Sequence, residues 1–139
     1  MTYRIFGSGC FFKPQEDEMI IDHIGFALSD YDAAKRFFSA ALAPLGITLV
    51  MEFNGNAGYG KGQKPELWFS KGSAAAPMHI AFVAENREQV RAFHVAALAA
   101  GGTDNGAPGI REKYHPDYYG AFVIGPDGHN VEAVCHAPQ

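Results

Sequence analysis

Cysteine is scarce in this chain. There are two in 139 residues, and Cys10 and Cys135 make neither a metal-ligand pair nor a disulfide framework. Positive charge is also in short supply, with 11 Lys and Arg against 15 Asp and Glu and a formal net charge of −4. That leaves no basic field for nucleic acid or acidic lipid, and neither is expected as a partner. Long apolar runs are missing. The most apolar helical stretch, Phe93 to Ala100, contains His94 and is too short to span a membrane. The N-terminus has a lone Arg4, no apolar core, and an acidic cluster at Glu16-Asp17-Glu18, so it does not read as a signal peptide. A cytoplasmic location is the default expectation. What remains, 47% apolar and 19% charged residues, suits one soluble globular domain with a real core.

The chain repeats itself. Asp22-His23-Ile24-Gly25-Phe26-Ala27 returns fifty-six residues later as Met78-His79-Ile80-Ala81-Phe82-Val83. Under the same shift Phe37 falls on Phe93, Ala40-Ala41-Leu42-Ala43 on Ala96-Ala97-Leu98-Ala99, and Gly46 on Gly102. A repeat of this length marks two copies of one supersecondary unit. Module one is placed at 19–71 and module two at 77–136, within a single domain over 19–139. Residues 1–18 stand outside the repeat, and Gly7-Ser8-Gly9, Pro14 and the acidic cluster read as an N-terminal arm.

Each module opens with a period-two pattern. Over Ile20 to Leu28, Ile24, Phe26 and Leu28 share one face and His23, Gly25 and Ala27 the other; Met78 to Ala84 behaves likewise. A helix over Tyr31 to Leu42 follows the Ser29-Asp30 cap, and Asn86 with Gln89 starts the second helix. Further strands are expected at Ile47 to Phe53, Gly58 to Gly60 and Glu66 to Ser70. In module two they fall near Thr103 to Gly106, Ala121 to Ile124 and Asn130 to Cys135. Asn54-Gly55 signals a tight hairpin. The expected fold class is α+β, two βαβββ modules. Module two also carries a loop within Ala107 to Gly120 that holds Arg111, Tyr114, His115, Tyr118 and Tyr119, the kind of polar aromatic loop that meets substrates.

Each module reads histidine and then glutamate: His23 and Glu66, His79 and Glu132. Taken singly, each is an ordinary structural histidine or surface carboxylate. Taken together, all four are expected mid-strand and facing away from the aliphatic side. Carboxylates on the inner face of a curved sheet are costly to desolvate without a partner. A divalent cation removes that cost, and a nitrogen and oxygen donor set suits Zn, Ni, Co, Mn or ferrous Fe. His94, in mid-helix, and His136, at the terminus, read as structural; His129, before the last strand, is expected to be exposed.

On these anchors the chain resembles the vicinal-oxygen-chelate superfamily, which includes glyoxalase I, bleomycin-resistance proteins and extradiol dioxygenases. The resemblance covers about residues 19–136. It rests on His23 in Asp-His-Ile-Gly-Phe, Glu66 in Pro-Glu-Leu-Trp-Phe, His79 in Met-His-Ile-Ala-Phe and Glu132 in Pro-Asp-Gly-His-Asn-Val-Glu. It implies a cup-shaped mixed sheet around a divalent metal held by His23, Glu66, His79 and Glu132, within one chain or across a homodimer. The implied activity is that of a glyoxalase-type lyase or isomerase acting on a small vicinally oxygenated substrate through a metal-bound enediolate. Glu132 and Glu66 would then move the proton, with Trp68, His115, Tyr118 and Tyr119 as substrate contacts.

Two other members of the superfamily supply alternatives. An extradiol dioxygenase would use His23, His79 and Glu132 as a facial triad, but Phe122 stands where that signature wants tyrosine. A metal-free binding cup of bleomycin-resistance type would use Trp68 and the tyrosine-rich loop for stacking.

Overall fold

The computed structural model describes residues 4–6, 10–12 and 21–139. Strands β1 (Arg4–Phe6) and β2 (Cys10–Phe12) pair antiparallel. The rest of the expected arm lies outside the described residues. Module one then runs β3 (Ile24–Leu28), α1 (Tyr31–Leu42), β4 (Thr48–Phe53), β5 (Asn56–Gly60) and β6 (Leu67–Lys71). Module two runs β7 (His79–Val83), α2 (Arg87–Ala99), β8 (Thr103–Ile110), β9 (Tyr119–Ile124) and β10 (Asn130–Cys135). The sheets have matching orders, β3-β6-β5-β4 and β7-β10-β9-β8, each with its first and last strands parallel. Both βαβββ modules are therefore present.

Local chemistry accounts for the elements. Asp30 accepts from the Ala33 amide at 3.0 Å to cap α1, which continues into a short 3₁₀ turn and stops where Gly46 takes φ +77. Asn86 caps α2 through the Gln89 amide at 2.8 Å, and Gln89 reaches back to the Glu85 amide at 2.9 Å. Asn54 and Gly55, at φ 48 and 75, make the left-handed pair that a tight β4–β5 hairpin needs.

Several boundaries differ from expectation. β3 begins at Ile24 and β6 at Leu67, so His23 and Glu66 precede their strands, and His79 is the first residue of β7. Of the four candidates only Glu132 lies mid-strand. Ladder pairing also carries β8 on to Ile110, well beyond the expected Gly106, which narrows the loop to Arg111 through Tyr118. Apolar periodicity gave no sign of this, because the added stretch Ala107-Pro108-Gly109-Ile110 does not alternate.

The helices cover one face of each sheet. Leu28, Phe38, Leu42, Tyr59, Leu67 and Phe69 in module one and Val90, Phe93, Val123 and Val131 in module two form one continuous core. Each large apolar side chain fully buried there stabilises the fold by about 1.5–3 kcal/mol. The modules meet through α1 against α2. They are also joined at the turn before β10. There the Ser29 amide donates to Asp127 at 2.7 Å, the Ser29 hydroxyl donates to its other oxygen, and the Phe26 ring meets His129 edge-on at 5.1 Å.

His129 is fully buried rather than exposed. It sits between the modules and accepts from the Met78 amide at 2.8 Å. Its position beside a turn concealed this, since module docking has no sequence period. No helix among the described residues is long and apolar enough to cross a membrane.

Candidate active site

The uncovered face of module two brings three of the candidate residues together. Val131 and Ala133 of β10 point into the core, so Asn130, Glu132 and Val134 point the other way. Glu132 is nevertheless 0% exposed. Its Oε2 lies 2.7 Å from His79 Nε2, and its Oε1 accepts from the Tyr118 hydroxyl. Both carboxylate oxygens are thus partnered, as a buried carboxylate requires. Burial, followed by the hydrogen bond to Glu132, pushes the Tyr118 phenol far above its ordinary range. Tyr118 therefore stays a protonated donor. His79 is half exposed and reaches the open side of the group.

The loop holds Tyr118 in place. The Arg111 amide donates to the Tyr118 carbonyl at 2.8 Å, closing the loop as one further rung of the β8–β9 ladder. His115 and His136 stack with ring centres 5.0 Å apart, and their Nε2 and Nδ1 lie 2.7 Å apart. Both rings stand edge-on to Tyr118, at 5.5 and 5.2 Å. The Asp117 amide donates to His115 Nδ1 at 3.0 Å, so His115 carries its proton on Nε2 and donates it to His136. His136 thus belongs to this cluster, a place that a terminal position in the sequence did not suggest. Tyr119 points to the opposite, helix-covered side of the sheet, where Arg87 and Arg91 lie over its ring at 5.0 and 5.8 Å. His94 bonds Asp104 at 2.9 Å, away from the group.

Module one does not mirror this arrangement. In register, Ala81 faces Glu132, and the repeat places Ala81 on Gly25; Gly25 faces Trp68. Trp68, not Glu66, is therefore the counterpart of Glu132. Glu66 matches Asn130, which faces His79. The histidine-then-glutamate pattern is a repeat in sequence order but not in space. The Trp68 ring lies over Gly58, where an added Cβ would come within 2.9 Å of it. Met51 and Phe53 of β4 are 47% and 63% exposed. His23 is exposed and bonds Asp22 at 2.8 Å, while Glu66 is exposed where β6 begins.

An open cleft of about 600 Å³ separates the modules and is lined by Asp22, Lys61, Glu66, His79, Ala81 and Val83 among others. Glu66 and His79 share this cleft. Among the described residues, however, no three His, Cys, Asp or Glu side chains converge as a metal site. His79 and Glu132 are the only two of the four expected donors in mutual contact, and that set does not fit a four-ligand centre within one chain.

The fold matches solved structures. The chain is similar to a glyoxalase/bleomycin resistance protein from Albidiferax ferrireducens, at 26% identity and a TM-score of 0.74, over 84% of this chain and 99% of that one. It is similar to a glyoxalase-related enzyme from Fulvimarina pelagi, at 19% identity and a TM-score of 0.64, over 83% and 86% of the two chains. It also resembles a glyoxalase/bleomycin resistance protein/dioxygenase family enzyme from Burkholderia phytofirmans, at 16% identity and a TM-score of 0.64, over 84% and 98%. No family model matches the chain, and no curated protein matches it. Its structural neighbours are glyoxalase/bleomycin resistance/dioxygenase proteins, and the fold is that of the vicinal-oxygen-chelate superfamily.

Proposed function

We propose that the protein is a lyase or isomerase that moves a proton on a small oxygenated substrate, with His79 as the group that takes it. The observation that carries this reading is the buried Glu132, bonded at once to half-exposed His79 and to the protonated Tyr118 hydroxyl. A neutral imidazole that donates Nε2–H to a carboxylate keeps Nδ1 as a base, and the carboxylate stabilises the imidazolium that forms. Tyr118 holds Glu132 in place and remains its donor throughout. A C–H bond beside a carbonyl breaks, its electron pair passes into that carbonyl, and its proton goes to His79. In a hydroxy-carbonyl substrate, return of that proton to the former carbonyl carbon, while the adjacent hydroxyl passes its own proton to the former carbonyl oxygen and becomes the new carbonyl, completes an isomerisation. Reforming of the carbonyl with expulsion of a group and its bonding pair from the carbon on the other side of the broken C–H completes a lyase reaction.

A divalent cation belongs to this proposal only at His79 and Glu132, the donors that meet. His23 and Glu66 do not complete the set within this chain, and a homodimer would have to bring further donors to the cleft. Dimerisation is supported by the outer position of β3 and β7 in their sheets and by Ile21 and Val83, 64% and 67% exposed beside those edges.

The test is solvent deuterium exchange, followed by proton NMR, in a panel of hydroxy- and oxo-compounds. Wild type should wash out the hydrogen beside the carbonyl of at least one compound, and His79→Gln should abolish this. Equal exchange by His79→Gln would refute the assignment.

A metal-free binding cup is the second reading, favoured by Trp68 standing where module two has Glu132 and by the exposed Met51 and Phe53 near it. It predicts tight binding of an aromatic ligand, lost in Trp68→Ala, with no exchange at any carbon.

A further inference from the structure

Arg111 has no place in the chemistry above, yet it lies against the same surface. The β8–β9 ladder puts Arg111 opposite Tyr118 and turns both side chains to the face that bears Glu132. Its guanidinium sits over the Phe122 ring at 5.5 Å, and the His79 ring lies 5.9 Å from that same ring. Phe122 is also the ladder neighbour of Glu132. Its opposite neighbour, Gly106, and nearby Gly109 leave the surface bare, for a Cβ at either would come within 3.1 Å of the guanidinium nitrogens. The Ala107 carbonyl accepts from Nη2 at 2.7 Å and fixes the plane. Among the described residues Arg111 makes no ion pair. A guanidinium laid flat on a sheet, held by one carbonyl and given no carboxylate, presents its remaining N–H groups to a ligand.

We infer that Arg111 anchors a carboxylate of the substrate, so that the substrate class is a short hydroxy- or oxo-acid bound across Phe122 between Arg111 and His79. This inference rests on the proton-transfer reading for the position of the reacting carbon, while the anchor itself is a matter of binding. A carboxylate suits the site better than a phosphate dianion, because a single guanidinium faces it and the buried Glu132 lies close by. The planar fork matches a planar anion. Asn130 and Asn105, bonded at 3.2 Å, border the His79 end and offer neutral contacts to the hydroxyl or carbonyl oxygen.

The test compares lactate, glycolate and pyruvate with their neutral amides by titration calorimetry, alongside the exchange assay. Wild type should bind at least one acid about 10- to 100-fold more tightly than its amide, the discrimination of a charge-assisted pair over a neutral one. Arg111→Gln should remove that preference. Gly109→Ala, whose methyl would meet Nη1 at 3.1 Å, should weaken it with the charge unaltered, and thermal melts of both variants check folding. His79→Gln should retain the preference while losing exchange. Acids and amides binding wild type alike, or neither binding at all, would overturn the anchor. Exchange on the acids untouched by Arg111→Gln would overturn it too, and would leave the proton-transfer reading standing. An Arg111-dependent preference without exchange at any carbon would support the anchor and sink the proton transfer.

Discussion

Replacing Tyr118 with phenylalanine removes one oxygen and changes little else, and its effect can be estimated from the structure. Glu132 is fully buried, and its Oε1 accepts from that hydroxyl. Without it, one oxygen of a buried carboxylate has no donor, which costs about 1–3 kcal/mol. For a domain of this size that lowers Tm by about 4–12 °C. Tyr118→Phe paired with Glu132→Leu in a double-mutant cycle should show a coupling of about 1–2 kcal/mol, since either change alone removes the same bond.

The pH dependence gives an independent check. The folded-state phenol sits above its unfolded value of 10.0, so folding favours the protonated form. The stability from Tyr118 is thus fully present below about pH 10 and is lost as pH rises from there toward the folded value. Wild type should lose stability above pH 10 faster than Tyr118→Phe does. Calorimetric melts between pH 7 and pH 11 measure both effects. A Tyr118→Phe protein melting within a degree of wild type, with parallel pH curves, would show that the bond to Glu132 contributes nothing.

After dialysis against Ni, Zn, Mn or Fe, elemental analysis should find any bound metal reduced in His79→Ala and unchanged in Glu66→Ala, because only the first touches the buried carboxylate. Gly102→Ala should destabilise by about 1–3 kcal/mol in urea unfolding, since its Cβ would come within 2.3 Å of Val123 and 2.9 Å of the Ala97 carbonyl. Asp127 is held below the usual carboxylate range by hydrogen bonds from the Ser29 side chain and backbone. Its contribution is present above the unfolded carboxylate pKa and lost as pH falls through the folded value, so Asp127→Ala should narrow the gap between melting points at pH 7 and pH 3. Sedimentation equilibrium should find wild type dimeric and Val83→Glu shifted toward monomer, if the β7 edge is where copies meet.

The fold was legible because both modules obey local rules. Ile24-Gly25-Phe26 and Ile80-Ala81-Phe82 alternate, Asp30 and Asn86 cap, and the repeat aligns one module with the other. Within module two, His79, Glu132 and Tyr118 came from motif and loop, and the structure brings these three together. What stayed hidden depends on register. A sequence motif records that Glu66 stands near a strand start, but only the pairing of β3 with β6 shows that Trp68 faces Gly25. With a side-chain period of two, a two-residue offset keeps the face and changes the row, and hydrophobic pattern cannot detect it. The contacts of His136, His129 and Arg111 were hidden for a related reason, since those between a terminus, a turn and a loop leave no periodic trace.

The turn at Pro126-Asp127-Gly128 ties α1's cap region to the start of β10, through Ser29 on one side and His129 on the other. Glu132 lies one strand-turn further along the same backbone. Slippage between the modules must therefore travel first through the segment that fixes the height of the buried carboxylate. Amide exchange along β10 would then act as a strain gauge, opening together with the module contact rather than with the β8–β9 hairpin beside it. The two modules, unlike in their inner faces, are mechanically one device at this point.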